Sequence, residues 1–334
     1  MKTSCKNAML IIVTAVTLCA MSGCSKKSTE VRGEGDARKH LALAPMETFK
    51  SCAEISEHIE SIFSVWARYG PVVDNMNVPT ASRRGTEQLG NRQESGVAEA
   101  DFTAIGKHQI VVAQGNKLTI LRRSDLSTIG HLYQAKGQQI SGLYIDGDRM
   151  AVLVKASGFE GANDGAKSSV SIFSMVENKK PELLADKQFQ DQLTHSRVTN
   201  GHLIGVFHKS LDLTDKAVGS KLSGIECTNI AKPQVNPESL QLTKVIALNL
   251  HAPEHETSIL GAFAAGNRIY MNEENLYLTE ESYSDTTGIH KIRFDAASGK
   301  LQFSAGGKAP GVLQDDFAMR EVTLTGSKIG RAHV

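Results

Sequence analysis

Two short stretches, Gly147-Asp-Arg-Met150 and Gly201-His-Leu-Ile204, each separate one apolar run from a second apolar run. The same unit returns at Gly106-Lys-His-Gln-Ile110, Gly266-Asn-Arg-Ile269 and Gly326-Ser-Lys-Ile329. Glycine adopts a positive φ at little cost, so an apolar run, a glycine turn and a second apolar run predict a β-hairpin. A unit that recurs along the chain indicates a repeat architecture.

A third strand follows several of these hairpins, as in Lys117-Leu-Thr-Ile-Leu121 and Asn275-Leu-Tyr-Leu278. Three or four antiparallel strands per repeat are typical of a propeller blade. The sequence therefore predicts an all-β protein, a partial β-propeller over residues 95–328 with about four blades, the start of a fifth and an incomplete ring. The alternative is a β-sandwich with similar turns, because a glycine before an apolar run is common.

One amphipathic helix is predicted over residues 46–70, ahead of the strands. Thr48 can cap its start, and Gly70-Pro71 ends it. The apolar residues that recur at helical spacing are Phe49, Cys52, Ile55, Ile59, Ile62, Phe63 and Trp66. On such a stripe Trp66 is expected to pack rather than to hold a cofactor. Residues 71–94 have the polar composition of a linker.

The N-terminus has the pattern of an export signal over residues 1–23. Lys2 and Lys6 precede an apolar run that ends near Ala20, shorter than the roughly 20 residues that a membrane-spanning helix needs. Met21-Ser-Gly-Cys24 resembles a lipobox, with methionine in place of the usual leucine, and predicts lipidation of Cys24. The alternative is an ordinary secretory peptide with a chance cysteine. Residues 24–45 are predicted to form a disordered tether.

Lipidation would place the protein in the cell envelope, bound to a membrane through Cys24. Ser25 and Lys26 follow the cysteine where an aspartate would favour the inner membrane, so the outer membrane is expected. Within the mature chain Cys52 and Cys227 remain, and they either form a disulfide or stay two buried thiols. With 37 basic and 36 acidic residues, the chain has no basic footprint for nucleic acid.

The stretch Ser95-Gly-Val-Ala-Glu-Ala-Asp101 resembles the opening motif, Gly-Val-Asp-Glu-Ala-Asp, of a secreted "beta-propeller domain" family that is distantly WD40-like. Gly96, Val97, Glu99 and Asp101 match the motif, whereas Ala98 replaces its first aspartate. The resemblance implies a propeller without an established activity, and relatives that continue through further blades. Residues 329–334 also resemble a translated sequencing adapter, so a C-terminally truncated chain is expected.

Few residues suggest chemistry, and no catalytic residue, metal site or cofactor is predicted. His251 and His255 would face together only on a helix, which Pro253 disfavours, so a solvated loop is expected. His290 could be a ligand or a base, but a strand histidine with a satisfied hydrogen bond is the simpler interpretation. Glu99 and Asp101 could bind a cation or cap turns, or could lock the first blade through buried hydrogen bonds.

Three functional hypotheses follow from these observations. The first is a non-catalytic, lipid-anchored propeller that binds a protein or polymer of the envelope. The second is an envelope enzyme with a site in the central funnel, built from residues such as Glu99, Asp101 and His290. The third is an assembly lipoprotein of the outer membrane, which loss of outer-membrane proteins in a deletion strain would reveal.

Overall fold

A computed structural model describes residues 43–69, 94–156, 167–212, 214–235, 240–255, 258–264, 266, 268–282, 286–313, 318–324 and 327–332. The signal peptide, Cys24 and the linker after the helix lie outside the described residues, as do most of the tether and the last two residues of the adapter-like tail. The side chain of Trp66 also lies outside them.

The first two repeats are four-stranded antiparallel sheets, which we call blades 1 and 2. Blade 1 consists of β2 (Thr103–Ile105), β3 (Gln109–Gln114), β4 (Lys117–Arg122) and β5 (Thr128–Tyr133). Blade 2 consists of β6 (Gln138–Asp146), β7 (Arg149–Ala156), β8 (Ser168–Ser174) and β9 (Glu182–Phe189). In both blades, consecutive strands pair with each other in chain order.

Blade 3 is built on the same plan, but one added strand at each edge widens its sheet to six strands. Its four main strands are β10 (Gln192–Thr199), β11 (His202–Ser210), β15 (Gln241–Asn249) and β16 (Ser258–Phe263). Between them the chain forms the β12–β13 hairpin (Lys221–Leu222 and Ile225–Glu226), a 3-10 turn (Cys227–Asn229) and β14 (Ile230–Ala231), which pairs parallel with β16. The strand β1 (Ala98–Glu99) pairs with β10.

Blade 4 and a final hairpin complete the described strands. Blade 4 consists of β17 (Ile269–Met271), β18 (Asn275–Ser282), β19 (Thr286–Asp295) and β20 (Lys300–Pro310). The hairpin joins β21 (Met319–Leu324) to β22 (Ser327–Ala332). Four blades and the hairpin make a propeller whose ring is not closed within the described residues, as the repeat predicts.

The glycines of the repeat lie in the turn between the first and second strands of blades 1 to 3. Gly147 and Gly201 have φ values of +59° and +74°, a conformation that favours glycine. In blade 4 the predicted position of the turn is wrong, because Gly266 precedes the first strand, β17, and does not follow it. The corresponding turn there uses Asn272, whose Oδ1 accepts hydrogen bonds from the N–H groups of Glu274 and Asn275. An Asn side chain thus closes the turn without glycine.

The hydrophobic core lies between successive blades. Val111, Leu118 and Ile120 of blade 1 pack with Met150 and Val152 of blade 2. An equivalent layer joins blade 2 to blade 3, and its central members are Ile172, Leu203, Phe207 and Ile246. A third layer joins blade 3 to blade 4, and its central members are Val206, Val245, Leu278 and Ile292. By contrast, most of β9, a fourth strand, is exposed, which is typical of the outer edge of a blade.

The helix α1 (Cys52–Tyr69) packs against blade 3 through its apolar face. Ile55 and Ile59 lie with Leu242 and Phe263 in this layer, which the amphipathic pattern predicts. The helix begins at Cys52, where Ser51 Oγ accepts the N–H of Glu54 at 3.2 Å, and not at Thr48. Among the described residues no helix has the length and apolar character to cross a membrane.

The start of the helix is displaced because the preceding residues are drawn into the sheets. Ala44 forms a bridge with Gly306, and Thr48 forms one with Ala231. Cys52 and Cys227 are joined by a disulfide, with their Cα atoms 5.2 Å apart and 175 residues between them in sequence. Helix α1 is therefore attached to blade 3 by backbone pairing, apolar packing and a covalent bond.

Candidate functional site

The residues of the family motif lie along the first strands of blades 2 and 3. Ala98 and Glu99 pair with Val198 and Arg197 of β10, and Asp101 forms a bridge with Leu143 of β6. In a propeller the first strand of a blade borders the central channel. We call the segment 98–101 the motif strand. It therefore lies along the inner edges of blades 2 and 3, both of which follow it in the sequence.

Glu99 forms a buried ion pair there. Its Oε1 lies 3.3 Å from Arg197 Nη2, and the two side chains are only 5% and 7% exposed. Val97 is buried in the layer between blades 3 and 4, and Gly96 adopts a φ of +83° in the turn before it. Asp101 is exposed, and its Oδ1 accepts the N–H of Phe102 at 2.6 Å. Of the two motif carboxylates, only Glu99 is locked by buried partners.

A cavity of about 270 Å³ lies beside this ion pair, and we call it the motif pocket. It is lined by Glu99, Ala100, Ser141, Leu153, Lys155 and residues 193–197. Its volume lies just below the usual range for small-molecule sites. The hydroxyl of Tyr144 contacts Ser196 Oγ at 2.9 Å and so joins blade 2 to the pocket wall in blade 3. Burial raises the pKa of this phenol.

Positive charge dominates the motif pocket. Lys155 is half-buried, and burial lowers the pKa of its ammonium group. Arg197 donates from Nη1 to Ser196 O at 2.9 Å, but its Nε has no hydrogen-bond partner among the described residues. Ser141 Oγ is buried and likewise lacks a partner there. Lys155 and Arg197 thus face one carboxylate, that of Glu99.

His195 lines the same pocket and is neutral near pH 7. The pKa of its ring is lowered to about 3. Burial is the main cause, the positive charge of Arg197 is the second, and other nearby positive groups add to them. Its Nδ1 lies 3.2 Å from Thr194 Oγ1, whose hydroxyl lies 3.1 Å from Val206 O. If that hydroxyl donates to the carbonyl, Nδ1 carries the ring proton and Nε2 is an acceptor.

The lowered pKa of His195 predicts a contribution to acid sensitivity. Between about pH 3 and 6.5 the unfolded chain binds a proton at this ring that the folded chain does not bind, so stability falls as the pH is lowered. We expect His195→Gln to reduce the pH dependence of the unfolding free energy by about 1 kcal/mol per pH unit between roughly pH 5 and 6. Urea unfolding at several pH values measures this slope.

His208 provides a second variant for the same measurement. Burial lowers the pKa of its ring to about 4, so His208→Gln is expected to act in the same direction over a narrower range of pH. Unchanged slopes in both variants would contradict the neutral, buried state of the two rings.

Gly142 on β6 allows the motif strand to approach blade 2. A Cβ atom at this position would lie 2.7 Å from Ala100 Cβ, closer than nonbonded carbon atoms come. We expect Gly142→Ala to cost about 1–3 kcal/mol of unfolding free energy, because the motif strand must move. Thermal or urea unfolding measures the loss.

Two further variants isolate this contact. Ala100→Gly in the Gly142→Ala background removes the clashing atom and is expected to restore most of the stability. Gly130→Ala on β5 is the matched control, since its nearest neighbour would be Lys180 Cδ at an ordinary 3.8 Å, and it should cause no loss. A loss equal to that of Gly142→Ala would show a general strand effect instead.

Neither Lys155 nor Arg197 was predicted as a site residue from the sequence. Lys155 ends the apolar run Met150–Val154, and a charged side chain is seldom buried without a partner. That signal could have identified Lys155, whereas Arg197 lies in a mostly polar stretch that carries no such signal. Their convergence at one cavity depends on the packing of blade 2 against blade 3, which no local pattern specifies.

The other candidates lie elsewhere. His290 is fully buried in blade 4, with Nε2 3.4 Å from Glu280 Oε1 but no hydrogen bond to either ring nitrogen, so the expected satisfied hydrogen bond is not found. His251 lies in a turn, as expected, with Nε2 3.2 Å from Asp146 Oδ2. Within the described residues, no group of three or more His, Cys, Asp or Glu side chains is arranged to hold a metal ion.

A larger groove, of about 930 Å³, lies between the outer strands of blades 3 and 4. Its walls include residues 258–260 and 298–303, together with Met46 and Thr48 of the segment before α1. Lys221 and Glu226 pair with each other at its rim at 3.3 Å. Its polar side chains offer no buried, unbalanced charge of the kind found in the motif pocket.

The sheet order, the blade-to-blade core and the axial motif strand define a β-propeller. The sequence matches the model of the family described as "Beta propeller domain" over residues 90–323, and the chain belongs to this family. This confirms the resemblance drawn from the opening motif. A comparison with curated proteins finds no match.

Several solved structures are similar to part of this chain at low sequence identity. A prolyl endopeptidase aligns with a TM-score of 0.35 at 12% identity, over 66% of this chain and 28% of that one. A Synechocystis apocarotenoid oxygenase mutant aligns with a TM-score of 0.29 at 14% identity, over 61% and 48%. For Kluyveromyces lactis Hsv2p the TM-score is 0.26 at 9% identity, over 64% and 73%. The chain spans less than two thirds of the first two structures.

Proposed function

We propose that this chain is a lipid-anchored, extracytoplasmic β-propeller that acts by binding a component of the cell envelope. The motif pocket carries the proposal, because it is a cavity at the centre of the blades that holds cations in excess of its carboxylate. Propellers present such axial surfaces to ligands on a rigid scaffold. Cys24, at the end of the signal-like segment, provides the membrane attachment.

The groups that line the pocket are suited to binding rather than to proton transfer. An efficient general base has a pKa near the working pH, whereas that of His195 is lowered to about 3. The carboxylate of Glu99 is engaged by Arg197. The structure also separates the three residues of the funnel-enzyme hypothesis: Glu99 lines the pocket, Asp101 is exposed, and His290 is buried in blade 4.

The test has an anchoring arm and a binding arm. Fractionation of cells that express the full chain should find it with the outer membrane, and Cys24→Ala should release it; Cys5→Ala is a control cysteine variant. Chemical cross-linking in intact cells should then join the wild-type chain to an envelope component. A chain that stays soluble with Cys24 intact, or that forms no cross-link, would contradict the proposed function.

A further inference from the structure

We propose that the motif pocket binds an anionic group, a phosphate or carboxylate carried by the envelope ligand, with Lys155 and Arg197 as the recognising cations. This inference rests on the proposed binding function and specifies its chemistry. Neither residue belongs to the opening motif; both come from the blades that the motif strand joins.

Charge and burial support an anion. Lys155 loses hydration in the pocket, and burial lowers the pKa of its ammonium group. Arg197 is 7% exposed at its side chain, and its Nε points to no acceptor among the described residues. A buried cation without a full set of acceptors is unfavourable, and a bound anion would supply those acceptors.

The remaining polar groups fit the same ligand. The buried hydroxyl of Ser141 has no partner among the described residues and can donate to an anionic oxygen. The carboxylate of Glu99 pairs with Arg197 and neutralises part of the positive charge, so it limits how much negative charge a ligand can carry. A volume of about 270 Å³ admits a phosphate or carboxylate with part of its carrier, but not a whole polymer.

The experiment titrates the full chain, in detergent micelles, with sodium phosphate and separately with sodium acetate, by calorimetry. Wild-type protein is expected to bind at least one of these probes, and the preferred probe identifies the anionic group. Lys155→Met should weaken binding by about tenfold or more, whereas Lys155→Arg should retain most of the affinity. Lys136→Met, at an exposed turn before β6, is the matched control and should bind like wild type.

Stability separates recognition from a structural role. Lys155→Met removes a half-buried cation, so this variant is expected to unfold at the same temperature as wild type or at a higher one while binding less. Should that variant not fold, Ser141→Ala provides the same comparison with a smaller change. Wild-type affinity in Lys155→Met or Ser141→Ala, or no binding of either probe by the wild-type chain, would overturn the proposal.

The same variant distinguishes this inference from the proposed function. If the envelope cross-link is lost in Lys155→Met and kept in Lys136→Met, both are supported. If both variants keep it, the chain binds its partner elsewhere and only the anion site is overturned. If the chain binds phosphate or acetate in a Lys155-dependent manner but forms no cross-link, the anion site stands and the proposed envelope partner does not.

Discussion

Replacing Cys52 and Cys227 together with serine is expected to lower the free energy of unfolding by about 5 kcal/mol. The disulfide closes a loop with a sequence separation of 175, and removing it returns the entropy of that loop to the unfolded chain. Guanidinium unfolding of the two proteins measures the difference. The expected loss is large because the loop that the bond closes is long.

Reduction provides the control for this prediction. A reductant should lower the stability of the wild-type chain to that of the double variant, and it should leave the double variant unchanged. Coincident unfolding curves for oxidised and reduced wild-type protein would mean that the bond contributes nothing in solution.

Glu99→Gln is expected to cost about 3–5 kcal/mol, because it leaves the guanidinium of Arg197 buried without its carboxylate. Combining Glu99→Leu with Arg197→Met should recover most of that loss, since two apolar side chains of similar volume often replace a buried ion pair without cost. Urea unfolding of wild type, Glu99→Leu, Arg197→Met and the double variant forms a double-mutant cycle.

An exposed pair of equal length is the matched control. Lys221 Nζ lies 3.3 Å from Glu226 Oε1, the same distance as in the buried pair, but these side chains are 54% and 42% exposed. Glu226→Gln should therefore change stability far less than Glu99→Gln does. Equal losses in the two pairs would show that burial does not govern the contribution of Glu99.

The repeat was accessible to sequence reasoning because its signals are local. Alternating apolar residues predict the strands, and positive-φ glycines such as Gly147 and Gly201 predict the turns. The predicted position of the blade 4 turn, at Gly266, was wrong because Asn272 closes the equivalent turn with its own side chain. The predicted start of the helix was wrong because Thr48 pairs with Ala231, and Ser51 takes the capping position.

The candidate site could be predicted only in part, because its residues are brought together by contacts that are distant in sequence. The family motif identified Glu99, but its partner Arg197 lies about a hundred residues later and is brought near by the β1–β10 pairing. Lys155 arrives from a third strand. Proximity of this kind follows from the order of the blades around the axis, and no periodicity within a single strand contains it.

Blade 3 holds both N-terminal segments, and this has a consequence for the order in which the chain folds. Blades 1 and 2 form from neighbouring strands, whereas β1 needs β10 and helix α1 needs Cys227, which lies 175 residues further along. Non-local contacts of this kind form slowly. A chain that emerges N-terminus first therefore exposes the apolar side of its helix and the free edge of β1 until blade 3 is complete. During that interval the nascent protein is most prone to aggregation and most in need of a chaperone.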